Sequence, residues 1–292
     1  MSRETAQTSI ARAEGAIRTV AQYLMPEQVT WSGVRTAMLE SADALRELCG
    51  EDELPVKLAP ILRLRRILCI RTGPHTRIEA SLVVQDDGFA VLLSQDIHGV
   101  RRRASLAHEI GHTFFYDLRS RRPERMIRTQ SGSRVKEEDI CWAFAEQLLM
   151  PVDLLEPLTT SAPEGRLTLA REIASLAGVS MEWALKRLVH SFPSYDNCIV
   201  IVSVPDKRKT RRVARYWGRR ARVSLPAPLR NCADDVKSKL VSADSFTAPS
   251  FLAFLESAGD VARDNDAVFE WIDWSRNWGG SIAVLFDRSN VE

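Results

Sequence analysis

The five residues His108-Glu109-Ile110-Gly111-His112 constrain this chain more than any other stretch. They lie within Arg103 to Tyr116, where Leu106, Ile110, Phe114 and Phe115 follow a helical period. On a helix, residues four apart stack on one face, so His108 and His112 present their imidazoles to one point. Two imidazoles so placed can grip one Zn²⁺, and Glu109 beside them can take a proton from water at the metal.

The rest of the chain suits such an enzyme. Its 292 residues, 45% hydrophobic and 27% charged, describe an ordinary globular protein of one large domain or two to three smaller ones. No run of eighteen apolar residues exists, and Met-Ser-Arg-Glu-Thr-Ala-Gln lacks the apolar stretch of a signal peptide, so no membrane partner is expected. Cys49, Cys69, Cys141, Cys198 and Cys232 are odd in number, scattered and without C-x-x-C spacing. That pattern fits reduced thiols in a cytoplasm better than disulfides or a thiolate zinc site. The net charge of +2 is too small to argue for nucleic acid. Charge is uneven, however: Lys207 to Arg222 holds nine basic residues and no acid, and Arg119 to Arg128 is arginine-rich. Each run is read as a solvated strand or loop before it is read as a binding surface.

The chain reads as α+β. Helices are expected over Thr8 to Leu24, after Ser32 as a cap, and over Pro55 to Leu64. Strand-like runs follow at 67–70, 80–84 and 89–94, and Asp87-Gly88 between two of them is a hairpin signal. A small, mostly antiparallel sheet therefore precedes the histidine helix. A polar loop spans Leu118 to Arg134, a buried helix Val135 to Met150, and a short helix Val152 to Leu158 after Pro151. Helices over Leu167 to Ala177 and Met181 to Val189 flank Gly178-Val179-Ser180, and strands are expected at 198–204 and 281–286. Phe251 to Ser257 has some helical character, and Trp271, Trp274 and Trp278 suggest a helical or hairpin stripe. The division is 1–54, an N-terminal helical region; 55–158, the metal-site domain; 159–192, a helix-turn-helix-like segment; and 193–292, a C-terminal α+β domain.

A catalytic zinc takes three protein ligands and leaves one position open. The extended motif H-E-x-x-H-x-x-G-x-x-H fails here, because Phe115 and Leu118 stand at its last two signature positions. The alternative is a carboxylate from a later helix. The helix Val135 to Met150 opens with Glu137-Glu138-Asp139. Periodicity does not choose among them: Glu137 is in line with Ile140, Cys141, Phe144 and Leu148, and Glu138 with Cys141, Trp142, Ala145 and Leu149.

The zinc-helix motif preceded by Ser105-Leu106-Ala107, with Glu138-Asp139-Ile140-Cys141-Trp142-Ala143-Phe144-Ala145-Glu146-Gln147-Leu148-Leu149-Met150-Pro151 after it, resembles the ImmA/IrrE family of metallo-endopeptidases. The ending Phe-Ala-x-x-Leu-Leu-Met-Pro is the specific part. The close resemblance spans about Arg103 to Pro151 and a looser one about Pro55 to His190. It implies a zincin-like metalloprotease domain with the third ligand thirteen residues before the proline, which is Glu138, leaving Glu137 as runner-up. It also implies a protein substrate, a helix-turn-helix repressor whose cleavage turns on stress-response or mobile-element genes. Zn²⁺ is the implied cofactor, and Mn²⁺ or Fe²⁺ can substitute in such a donor set. Two positions depart from related patterns. Tyr116 stands where many members have a further histidine, and Trp142 where thermolysin-type enzymes place a histidine-orienting aspartate. The groups that orient the ligands are therefore unassigned.

Tyr116, read as one helical turn beyond His112, offers its hydroxyl as a candidate oxyanion donor. His75 and His98 read as surface histidines, and His190 as interacting with a helix C-terminus. Leu169 to Leu188 resembles a helix-turn-helix, which docks a protein substrate in the resemblance. Direct DNA binding is the weaker reading, since Glu172 and Glu182 dilute its positive charge. A non-proteolytic regulator with a structural or vestigial metal site is the rival function, and the intact Glu109 argues against it. A regulatory role for the tail is analogy with relatives.

Overall fold

The computed structural model describes residues 20–24, 29–74, 78–126, 133–160, 166–192, 198–205, 212–217, 267–274 and 280–287, with scattered residues between 231 and 262. They fall into two units, one drawn from 1–158 with 175–180 and the other from 159–174 with 181–292.

The first unit is built around α1 (Trp31–Leu48). Val34, Met38, Ala42 and Leu45 recur every three or four residues and bury one stripe of it. Thr30 is its N-cap residue and makes no side-chain cap bond, so the expected cap Ser32 already lies in the first turn. The short α2 (Leu58–Leu64) leads through Arg66, at φ 57°, into β1 (Ile67–Gly73). The Arg66 guanidinium spans several turns. It donates to the carbonyl oxygens of Asp87 (2.6 Å), Leu118 (2.9 Å), Ser120 (2.8 Å) and Arg121.

β2 (Ala80–Val84) and β3 (Phe89–Ser94) form the expected antiparallel hairpin, with Leu82 opposite Val91. The sheet order is β1-β3-β2, and β1 runs parallel to β3, with Ile70 beside Val91. The sheet is thus mixed, which corrects the mostly antiparallel expectation. Phe89, Ala90, Val91 and Leu93 are buried and Leu92 is exposed, in a strand with neighbours on both edges. Gly88 serves the hairpin for another reason than a left-handed turn. A Cβ there would lie 2.2 Å from the carbonyl oxygen of Arg66, which accepts the Phe89 N–H at 2.8 Å.

The histidine helix is α3 (Gly99–His112). A 3₁₀ turn over Thr113–Phe115 ends it, and β4 (Tyr116–Asp117) pairs with β5 (Glu124–Arg125). The buried helix α4 (Ser133–Leu149) packs against α3 and α1. Gly111 sits at the crossing. A Cβ on it would come 3.2 Å from Cys141 Cα and Cβ and from Phe144 Cδ1. Ile110, Phe114, Phe144 and Leu148 are buried, and the Phe114 and Phe144 rings lie 5.3 Å apart. Each such side chain contributes about 1.5–3 kcal/mol on full burial, so this seam fixes the two helices that carry the site. Helix α5 (Val152–Thr160) follows Pro151.

The second unit contains most of α6 (Arg166–Ala177), then α7 (Met181–Ser191), in which Met181, Ala184, Leu185 and Leu188 bury one stripe. Strands β6 (Cys198–Pro205), β7 (Arg212–Trp217), β8 (Ala267–Trp274) and β9 (Gly280–Asp287) form an antiparallel sheet of order β7-β6-β9-β8. Trp271 and Trp274 lie on β8, so the helical form of the tryptophan stripe is excluded. Trp278, most of the basic run 207–222, most of 251–257 and most of the helix expected over 8–24 lie outside the described residues. The chain is α+β, and among the described residues no helix is long and apolar enough to cross a membrane.

Candidate metal centre

Two helices that cross at Gly111 supply the histidines and glutamates of the site. His108 and His112 project from α3, and their Nε2 atoms face each other at 3.0 Å. Glu138 reaches them from α4, with Oε2 3.1 Å from His108 Nε2 and Oε1 3.7 Å from His112 Nε2. A tetrahedral cation with bonds near 2.0–2.1 Å would have ligand atoms roughly 3.3 Å apart, so these three donors already stand at the spacing of one tetrahedral face. Glu109 completes the group: ligand-type atoms of His108, Glu109 and His112 lie within 4.8 Å of one another. The donor set, two imidazoles and carboxylates, suits Zn²⁺, with Mn²⁺ and Fe²⁺ as the other candidates.

Glu109 is buried, and burial pushes its carboxyl up to about 7, against the pull of His112 and the backbone N–H of Leu82 on β2. Burial lowers the pKa of His108. Hydrogen bonds from His108 and His112 hold the Glu138 carboxyl well below the usual carboxylate range. Both directions favour the protonation states a metal requires, a bare ring nitrogen and an ionised carboxylate. At His112, burial opposes a charged ring, but hydrogen bonding to Cys141, Glu137 and Glu138 outweighs it and raises the pKa. Burial pushes the Cys141 thiol up to about 11.

The consecutive acids Glu137 and Glu138 do different things. Glu137, the runner-up ligand, is 2% exposed and turns to the other side of His112, its Oε1 2.9 Å from Nδ1. In the neutral tautomer whose Nδ1–H donates to Glu137, Nε2 is left bare to face a cation, the arrangement by which carboxylates orient metal-binding histidines. Glu137 Oε2 accepts from Arg125 on β5. His108 is held otherwise. Its ring lies 4.3 Å from that of Trp142, tilted 34°, and its buried Nδ1 has no hydrogen-bond partner among the described residues.

The placement of Tyr116 corrects the sequence-based expectation. α3 stops at His112, and Tyr116 has extended backbone at φ −121°, ψ 141°, so it does not continue the helix face of the two histidines. Its ring meets Phe89 edge-on at 5.1 Å, and its hydroxyl accepts from Arg125 Nη1 at 3.3 Å. The helix end is held from behind by Arg65. That buried side chain donates from Nε to Thr113 Oγ1 at 2.9 Å and stacks 3.9 Å over Phe114, and burial lowers its pKa to about 9. His98 is exposed at the N-cap of α3, and His190 is exposed in the last turn of α7. His75 lies outside the described residues. Arg125, Trp142 and Cys141 were not foreseen as parts of the site. Only the position of Trp142 carried a signal, as a departure from the aspartate of thermolysin-type enzymes.

Residues 84–189 match the peptidase M78 family, described as the IrrE N-terminal-like domain. No curated protein matches the chain. Among solved structures it is similar to a Mycobacterium tuberculosis transcriptional regulator, at 12% identity and TM-score 0.41, over 94% of this chain and 82% of that one. Residues 84–189, which contain both histidines and both glutamates of the site, are therefore a domain of the ImmA/IrrE metallopeptidase family.

Proposed function

We propose that this chain is a zincin-like, metal-dependent endopeptidase, with His108, His112 and Glu138 as metal ligands and Glu109 as the catalytic acid–base. The convergence of these three donors beside the buried carboxyl of Glu109 carries the reading. Zn²⁺, when bound by these residues, supplies a Lewis acid that polarises a carbonyl and acidifies water. Glu109 would take the proton of the attacking water and hand it to the leaving amine, and a carboxyl near 7 is suited to both at neutral pH. Glu137 would hold the Nδ1 proton of His112 throughout. Burial of Glu109, His108 and Glu137 keeps bulk water from competing for these contacts.

The substrate we propose is a helix-turn-helix repressor, met in the cytoplasm and docked with the help of the segment 159–192, so that cleavage derepresses stress-response or mobile-element genes. The family resemblance supports this choice. The domain boundaries read from the sequence, with a regulatory tail over 193–292, belong to the same proposal.

Glu109→Gln tests it. The variant should keep its metal, measured by emission spectroscopy, and lose about 10²–10⁴-fold of its cleavage rate. Candidate repressors are assayed in turn, starting with any helix-turn-helix protein encoded beside this gene. Cleavage at the native rate by Glu109→Gln would show that the proposed chemistry is wrong.

A further inference from the structure

The arginine-rich stretch after the histidine helix holds one residue unlike its neighbours. Arg119 and Arg121 are largely exposed and pair with Asp117 and Asp87 on the surface. Arg125 has a side chain only 31% exposed and turns toward Glu137, whose side chain is 3% exposed. Ladder pairing sets Arg125 directly opposite Tyr116, and the guanidinium lies 5.4 Å over the tyrosine ring with Nη1 on its hydroxyl. Tyr116 in turn packs edge-on against Phe89 in the central strand. The ribbon β4–β5 thus carries a cation from the end of the ligand helix back to its flank.

A carboxylate as enclosed as Glu137 is costly without a compensating charge. Its two oxygens are divided between Arg125 and His112 Nδ1. Bridged in this way, Glu137 has little freedom to swing, and neither has the imidazole it holds. His108 has no equivalent support at its Nδ1 among the described residues.

We propose that Arg125 is a positioning residue for the metal: through Glu137 it fixes the ring of His112, from a ribbon outside both ligand helices. This rests on the metal reading of the site given above.

The test is Zn²⁺ affinity, read by competition with a chromophoric chelator, on the full chain. Arg125→Met should weaken binding by about 10–100-fold, the usual effect of losing a partner behind a metal ligand. Arg125→Lys should recover part of the loss, since it restores the charge without the planar fork. Glu137→Gln should weaken binding comparably, and Arg122→Met, which removes an exposed arginine of the same stretch, should not change it. With Co²⁺ as probe, Arg125→Met should alter the visible absorption of the bound ion. Circular dichroism checks folding, and Glu137→Gln carries the test alone if Arg125→Met does not fold. Affinity within about twofold of the parent in folded Arg125→Met, or in Glu137→Gln, would overturn the proposal. A parent chain that binds no Zn²⁺ would instead overturn the metal reading of the site itself.

Discussion

The two histidines of the site lie one turn apart on the same helix, yet they are held by opposite means. His112 is gripped electrostatically, through a hydrogen bond to an enclosed carboxylate that is itself bound to an arginine. His108 is held by shape, between its own helix and the face of Trp142, with its second nitrogen unpartnered among the described residues. The charged arrangement is directional and holds a proton in place. The stacked one limits ring tilt and leaves rotation about the stacking axis less restrained. Equal histidines in a motif are therefore unequal in the fold, and loss of support should be felt first on the side where a charge would be stranded.

The sharpest way to break this comparison is to separate the two acids. Glu137→Ala should destabilise the fold by about 3 kcal/mol, at the lower end for a broken buried pair because Arg125 is partly exposed, as read by denaturant unfolding of the metal-free protein. Glu138→Ala should abolish stoichiometric zinc and change metal-free stability by less than about 1 kcal/mol, since that carboxylate is part-exposed. Unchanged zinc content in Glu138→Ala would sink its assignment as a ligand. Gly111→Ala should cost about 1–3 kcal/mol, because backbone and Cβ of Cys141 stand where the methyl would go. It displaces α3 from α4 and should weaken zinc binding through both histidines alike. Trp142→Ala should be milder, about 0.5–1.5 kcal/mol of lost ring contact. Its imidazole resonances in nuclear magnetic resonance should show His108 mobile and His112 unmoved; the reverse pattern would refute the division between the two sides. Tyr116→Phe, which keeps the ring and drops a 3.3 Å hydroxyl contact, should cost about 0.5 kcal/mol or less by thermal unfolding.

Much of the site was legible because it is local. The spacing of His108 and His112 and the buried face of their helix follow from one period. Glu138 required the resemblance, because three acids in a row carry no phase: which one reaches the two Nε2 atoms depends on how α4 is rotated about its axis. That rotation is set at Gly111, Cys141 and Phe144, where two helices touch, and no single-helix pattern records it. Tyr116 was misplaced because His112-Thr113-Phe114-Phe115-Tyr116 contains no glycine or proline to announce the helix end. Arg65, distant in sequence, binds that end instead. Arg125 was hidden among exposed arginines of identical composition. In the sheet, the hairpin of β2 and β3 was readable from its turn, whereas the parallel seat of β1 depends on β3 being central. Gly88 was rightly read as turn-forming, but its need comes from the carbonyl of Arg66, more than twenty residues away.

Arg66 has a consequence for how this region can change over evolutionary time. One guanidinium holds the Asp87 carbonyl of the β2–β3 turn and three carbonyls between 118 and 121. Surface loops ordinarily absorb inserted residues at small entropic cost. Here an added residue between Leu118 and Arg121 would shift those carbonyls off a shared donor and carry the shift along the ribbon. The geometry of this loop should therefore tolerate substitution of its exposed side chains better than insertion of a residue.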